Sequence, residues 1–194
     1  MQAHPAQPRE DQIIGMRLDW KAFQQFLKLR GEATTHRLVY LEPYLELMSP
    51  SSSHELIKGY IGRLLESWAD ESAIDLISTG EATLHSKRGR AAVEPDESYC
   101  VGAEASAVPD LAIEVVWTNA MLDRLEAYAR LGVREVWVWE SGHLRINVLR
   151  GKRYATVKRS RLFPTLDVAL FEQFVRKYPS PRALREYRDS LRAH

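Results

Sequence analysis

The sequence predicts an α/β domain of the α+β kind, in which helices flank a mixed central β-sheet. Three observations carry this. The apolar pattern runs helix, hairpin, helix, four strands, helix and then further strands, an order without regular βαβ alternation. One stretch, PDLAIEVVWTN at residues 109–119, is apolar on both faces, as a strand covered from both sides must be. The chain has 194 residues, 45% of them hydrophobic and 27% charged, enough for one domain with a substantial core.

The opening MQAHPAQPREDQ is polar, and residues 1–15 read as a flexible lead-in to a single domain over 16–194 with a basic C-terminal portion. DWKAFQQFLKLRG predicts a helix with Asp19 as N-cap, Gly31 as stop and Trp20, Phe23, Phe26 and Leu27 on one face. RLVYLEPYLELMSP predicts two short strands around a turn at Glu42 and Pro43. SPSSSHELIKGYIGRLLESWADE predicts a long, serine-capped helix whose buried stripe is Leu56, Ile57, Tyr60, Ile61, Leu64, Leu65 and Trp68. AIDLIS and EATLHS read as strands, KRGRA as a basic loop, and EPDESYCVG as a Pro-led entry into a strand. NAMLDRLEAYARLG predicts a helix between Asn119 as cap and Gly132 as stop, VREVWVWE a strand, and HLRINVLRGKRYATVKR a hairpin turning at Arg150 and Gly151. Beyond FPTLD the chain reads as helical, broken at Pro179 and Pro181.

Composition narrows the function classes. No apolar run approaches the ~18 residues of a membrane-spanning helix, and the opening lacks the apolar core of a signal peptide. Cys100 is the single cysteine, which leaves no disulfide framework and no cysteine zinc site; the expected compartment is the cytoplasm. No Gly-rich loop follows a strand, so nucleotide binding has little support. The net charge of +1 conceals segregation: residues 145–194 carry 13 Lys or Arg against four Asp or Glu, and the remainder carries 14 against 22. Such asymmetry marks either a nucleic-acid surface or ordinary solvated helices and hairpins.

Glu114 stands in the middle of the doubly apolar strand, and an unpaired buried carboxylate is costly. If the strands that begin at Asp96 and Asp110 form an antiparallel hairpin, paired indices sum to roughly 210 by the usual ladder, and Asp96 and Glu114 share a face. Asp110 then lies further down the strand, near the loop. Two carboxylates that close need a cation or a proton between them. Hard oxygen ligands suit Mg²⁺ or Mn²⁺, which activates water and offsets charge on a phosphodiester. The competing readings for Glu114 are an ion pair with an arginine and a position near a strand end that reaches solvent.

VEPDESY, PDLAIEVVWTN and LDRLEAYARLGVREVWVWE, with LELMSPSSSHE upstream, resemble in order the Uma family of restriction endonucleases, a branch of the PD-(D/E)XK nuclease superfamily. The likeness runs from about Arg37 to about Tyr154. It implies a restriction-endonuclease-like core, with Asp96 and Glu114 as the metal-binding acids. His54 and Glu55 fall where that superfamily often adds an acid, and Glu46 and Asp110 match family positions; Asp110 joins Asp96 and Glu114 as an expected metal ligand. One departure is marked. The superfamily lysine would stand at Val116, and the lysine this family tends to carry on the next helix is replaced by Arg124. Arginine keeps the charge but cannot readily shed a proton. Arg124 has three readings: a charge on the scissile phosphate, a surface residue paired with Asp123 or Glu126, or the cation that neutralises Glu114 with no metal. His54 is equally a site residue or polar cover at a helix start.

Two functions follow from the resemblance. One is a Mg²⁺- or Mn²⁺-dependent endonuclease that hydrolyses DNA as a homodimer, with Asp96, Glu114, Arg124, His54 and Glu46 at its centre. The other is a catalytically inactive module of the same fold that binds nucleic acid or a protein.

Overall fold

The computed structural model describes residues 11–31, 36–116 and 122–193. Strands β1 (Gln12–Arg17), β2 (Arg37–Leu41), β3 (Tyr44–Ser49), β5 (Leu84–Ser86) and β6 (Ala91–Val93) form an antiparallel sheet in the order β1-β3-β2-β6-β5. A second sheet runs β11-β10-β9-β8-β7-β4, with β4 at Leu76–Ser78, β7 at Glu97–Val101, β8 at Leu111–Val116, β9 at Glu135–Glu140, β10 at His143–Arg150 and β11 at Arg153–Val157. This is the mixed sheet: β8 and β9 are parallel, and the other neighbours are antiparallel. Five helices cover the two sheets among the described residues: α1 (Trp20–Arg30), α2 (Ser52–Glu71), α3 (Arg124–Leu131), α4 (Val168–Val175) and α5 (Pro181–Arg192).

Local chemistry starts and stops the helices where polar caps permit. Asp19, Ser51, Asp123, Asp167 and Ser180 each accept a backbone N–H from the first turn of the helix that follows. Gly132, at φ 86°, ends α3 in the left-handed conformation that a side chain disfavours, and its N–H returns to the Tyr128 carbonyl. Pro181 occupies the first turn of α5, where its missing N–H costs nothing, so it starts a helix where the sequence suggests only a break.

The layers follow from period-two burial. Leu111, Ile113 and Val115 of β8 face a core built with α2, α4 and α5, in which Trp137, Phe163 and Phe171 meet edge to face. Ala112 faces a second core, where Ala127 and Tyr128 of α3 are wedged between Val39, Ala91 and Val93 of one sheet and Val136 and Val138 of the other. Phe23 of α1 stacks on Tyr40 over the outer face of the antiparallel sheet. Trp137 and Trp139 are both core residues, as internal strands require.

The strands divide between two sheets where the sequence suggests one mixed sheet, and four further features depart from the pattern read off the sequence. Residues 12–15, read as lead-in, belong to β1, an edge strand held by backbone pairing to β3 with little burial. β6 begins at Ala91, inside the stretch read as a basic loop. Asp123 caps α3, while Asn119 lies outside the described residues. Leu56, placed on the buried stripe of α2, is 61% exposed, because that stripe is narrower than the apolar residues alone suggest.

Glu135 staples β9 to the segment that leads into α4. Its carboxylate, 1% exposed, accepts from Trp137 Nε1 at 3.0 Å, Ser160 Oγ at 2.7 Å, Leu162 N at 3.0 Å and also Arg161 N. Removing it strands four buried or half-buried donors. Glu135→Ala is expected to lower the unfolding free energy by about 3 kcal/mol or more, read by urea denaturation at neutral pH. A loss below ~1 kcal/mol would show that water replaces the staple.

Candidate functional site: a buried carboxylate centre

Asp96 and Glu114 converge as the hairpin register requires. Glu97 pairs with Ile113 across β7 and β8, indices that sum to 210, so Asp96 falls beside Glu114 on one face of the sheet. Asp96 is 0% and Glu114 1% exposed. Burial at that level demands compensation from both.

Glu114 finds it on α3. Arg124 Nη1 donates to Glu114 Oε2 at 2.5 Å, and the Tyr128 hydroxyl donates to Oε1. Arg124 and Tyr128 stand four residues apart, on one helical face, and α3 presents that face to β8. Arg124 also reaches the antiparallel sheet: Nη2 lies 3.5 Å from Met48 Sδ and 3.9 Å from Glu46 Oε1. The other Glu46 oxygen accepts the Leu122 N–H at 3.1 Å. One guanidinium, itself largely buried, thus serves carboxylates of both sheets. Arg124 is therefore the cation beside Glu114 and not a surface partner of Asp123 or Glu126.

Asp96 is held from the other side. Its Oδ2 accepts the Val115 N–H at 2.8 Å and lies 2.9 Å from His54 Nε2. His54, 0% exposed in the first turns of α2, contacts Asp11 Oδ2 through Nδ1 at 3.0 Å, and Asp11 Oδ1 accepts the Ser51 N–H at 2.7 Å. Asp96 Oδ1 is buried without a hydrogen bond, 3.7 Å from Arg37 Nε. Arg37 in turn binds Glu81 and Glu55, which Lys58 also bridges.

These partners move the titrations. Burial opposes charge on His54, yet the bonds to Asp11 and Asp96 outweigh it and push its pKa up to about 9. Burial raises Asp96 and Asp11, but His54 together with Arg124 and the Val115 N–H for Asp96, and His54 together with Ser51 for Asp11, outweigh it, and both lie below the usual carboxylate range. Burial, reinforced by the Asp96 charge, pushes Glu114 up against the pull of Arg124 and Tyr128. Burial also disfavours the Arg124 cation, and the charges of Glu114 and Asp96 overcome it, so Arg124 stays protonated.

Five sequence candidates, Asp96, Glu114, Arg124, His54 and Glu46, therefore meet in one centre. Asp110 does not join them. It sits at the opposite end of β8, where Oδ1 takes Arg134 Nη1 at 2.9 Å and Oδ2 the Val101 N–H at 2.9 Å; the structure corrects its place as a metal ligand to that of a strand-end staple. Three contributors were missed. Asp11 lies in a polar stretch without motif, Arg37 opens a strand that reads as plain hairpin, and Tyr128 carries its signal only in the four-residue spacing to Arg124.

The donor set has the hard oxygens that Mg²⁺ or Mn²⁺ prefers, and Asp96 Oδ1 is an orphaned buried acceptor. Asp96 and Glu114 would be the residues to hold such an ion once Arg124 releases Glu114; with Arg124 in place, no three His, Cys, Asp or Glu side chains among the described residues gather as a metal-holding group.

His54 predicts a stability profile. Its folded pKa of about 9 exceeds the ordinary 6.5, so its stabilising effect is whole below pH 6.5 and is lost as pH rises through about 9. The unfolding free energy should fall by about 3 kcal/mol across that window, and His54→Gln should flatten the fall. A profile of wild type that is itself flat from pH 6.5 to 9 would contradict the bridging role.

Comparison with known proteins agrees with the fold. The Uma2 family model, described as "Putative restriction endonuclease", matches residues 23–178. A crystal structure from Anabaena variabilis ATCC 29413, described as "a putative nuclease belonging to DUF820", superposes with a TM-score of 0.51 at 15% identity, covering 88% of this chain and 99% of that one. No curated protein matches the chain. With more than half of its length matched, from α1 to the end of α4, the chain belongs to the Uma2 family of nuclease-fold proteins.

Proposed function

We propose that this chain is an endonuclease that hydrolyses DNA phosphodiesters at the Asp96–Glu114 centre, and that Arg124 keeps the centre closed until substrate arrives. Family membership supplies the reaction class, and one observation carries the rest: Arg124 bonds Glu114 from the first turn of α3, beside Glu46. A phosphate oxygen is an alternative acceptor of the same fork geometry. Transfer of Arg124 from Glu114 to the scissile phosphate places positive charge where the transition state accumulates negative charge. It also frees Glu114. Asp96 and Glu114 would then be the carboxylates to hold Mg²⁺ or Mn²⁺, which would supply an activated water for phosphodiester hydrolysis. His54 fixes Asp96 by holding one of its oxygens, and Glu46 offers Arg124 a second carboxylate along its path. A homodimer is the simplest assembly for cutting both strands with one site per chain.

A second reading is favoured by the same contact. Arginine does not release its proton at neutral pH, and here it already neutralises a buried carboxylate. If the pair never opens, the chain is a non-catalytic nuclease-fold module that binds nucleic acid or a protein.

Incubation with supercoiled plasmid and Mn²⁺ separates the two. The first reading expects nicking that falls by about 100-fold or more in Asp96→Asn and Glu114→Gln. Absence of nicking by wild type, together with no calorimetric heat of Mn²⁺ binding in the presence of DNA, would establish the second. Nicking that survives Asp96→Asn would move the reaction away from this centre.

A further inference from the structure

α3 buries Arg124 and Tyr128 against β8 but leaves its outer face in a groove with basic walls. One wall is the turn that carries Ser86, Arg88 and Gly89; the other is the start of β11, with Lys152 and Arg153. Glu126, Ala129 and Lys152 line both halves, so the groove is continuous along the helix. The turn is fixed in place. A Cβ on Gly89 would come within 3.0 Å of the Arg130 carbonyl, and Arg130 Nη1 donates to the Gly89 carbonyl at 3.3 Å. Close packing of backbone on helix sets Arg88 beside Arg130.

The acids of the groove are already used. Asp123 caps the helix, and Glu126 binds Arg130. Arg88, Lys152 and Arg153 are exposed, and none of them has a carboxylate partner among the described residues. Arg145, Arg176, Arg182 and Arg192, by contrast, pair with glutamates, while Arg159 and Arg185, which lie away from the groove, have no carboxylate partner among the described residues. α3 has eight residues and is about 12 Å long at 1.5 Å per residue. That length matches about three phosphates of one strand at 3.4 Å rise.

We infer that this groove is the track for the DNA backbone, with Arg88, Lys152 and Arg153 as phosphate contacts and α3 as its floor. The inference rests on the DNA reading above and adds where the strand runs: along the outer face of the helix whose inner face carries Arg124. The contacts are to phosphate, so binding is insensitive to sequence and steeply dependent on salt.

The test is fluorescence anisotropy of a labelled duplex DNA with the full chain in EDTA, which separates binding from cleavage, across about 50 to 200 mM KCl. The triple variant Arg88→Gln/Lys152→Gln/Arg153→Gln should weaken binding by at least about tenfold and reduce the slope of log K against log salt by about 2 to 3. Lys152→Gln alone, at an exposed hairpin turn, should lower the slope by about one. A control removing three other exposed, unpaired cations, Lys158→Gln/Arg159→Gln/Arg185→Gln, should change affinity by less than about threefold. Equal losses in the two triple variants, no loss in the groove variant, or no binding by wild type would each overturn the inference. Failure to nick plasmid alongside intact groove binding would instead remove the hydrolase reading and leave the track standing.

Discussion

The contact between Arg124 and Glu114 is the constraint around which this structure is organised. A carboxylate in the middle of a doubly covered strand cannot remain without compensation. Water is excluded there, so the compensation has to be built from side chains. Arg124 and Tyr128 supply it from one face of α3, and α3 must therefore seat on β8 with that face inward. Seating α3 there packs Ala127 and Tyr128 between the two sheets and fixes the distance between them. A buried ion pair adds little stability compared with apolar residues of the same shape, but loss of one partner is severe, so such a pair specifies an arrangement more than it strengthens it.

The remaining polar groups extend the same logic outward. The two carboxylates that flank His54 favour its charged form, and His54, with Arg124 and the Val115 N–H, favours the ionised form of Asp96 against burial. Asp11 closes this chain and ties the N-terminal edge strand to the start of α2. Arg37, Lys58, Glu55 and Glu81 form a second network that touches Asp96 only at a distance. The centre thus draws on both sheets, two helices and the segment before β1. It is a junction of layers rather than a cavity in one of them, which explains why it holds several charges yet exposes little of them.

Much of this was legible in the chain. The hairpin register placed Asp96 beside Glu114 because period-two alternation and a short connection leave few alternatives. The capped α2 and α3 were visible from serine, glycine and apolar spacing. The partner of Arg124 was not. Asp123, Glu126 and Glu114 were all within plausible reach, and only the burial of the helix face chooses among them. Asp11 was invisible for a different reason: β1 is held by backbone hydrogen bonds and buries little, so it leaves no apolar pattern to read. The division of the strands into two sheets was hidden too, since nothing in a short strand's own sequence says which sheet it joins. Asp110 misled because an acid at a strand start serves equally to bind a loop N–H and an arginine, as it does here.

Arg124 and Glu114 form one energetic unit in the folded protein. A double-mutant cycle on unfolding free energy, with Arg124→Met and Glu114→Gln singly and together, reads that directly. A coupling of about 2 kcal/mol or more is expected, with the double variant more stable than the sum of the two single losses implies. Additivity to within about 0.5 kcal/mol would show two independent residues, and the closed carboxylate centre would not be what holds α3 in its place.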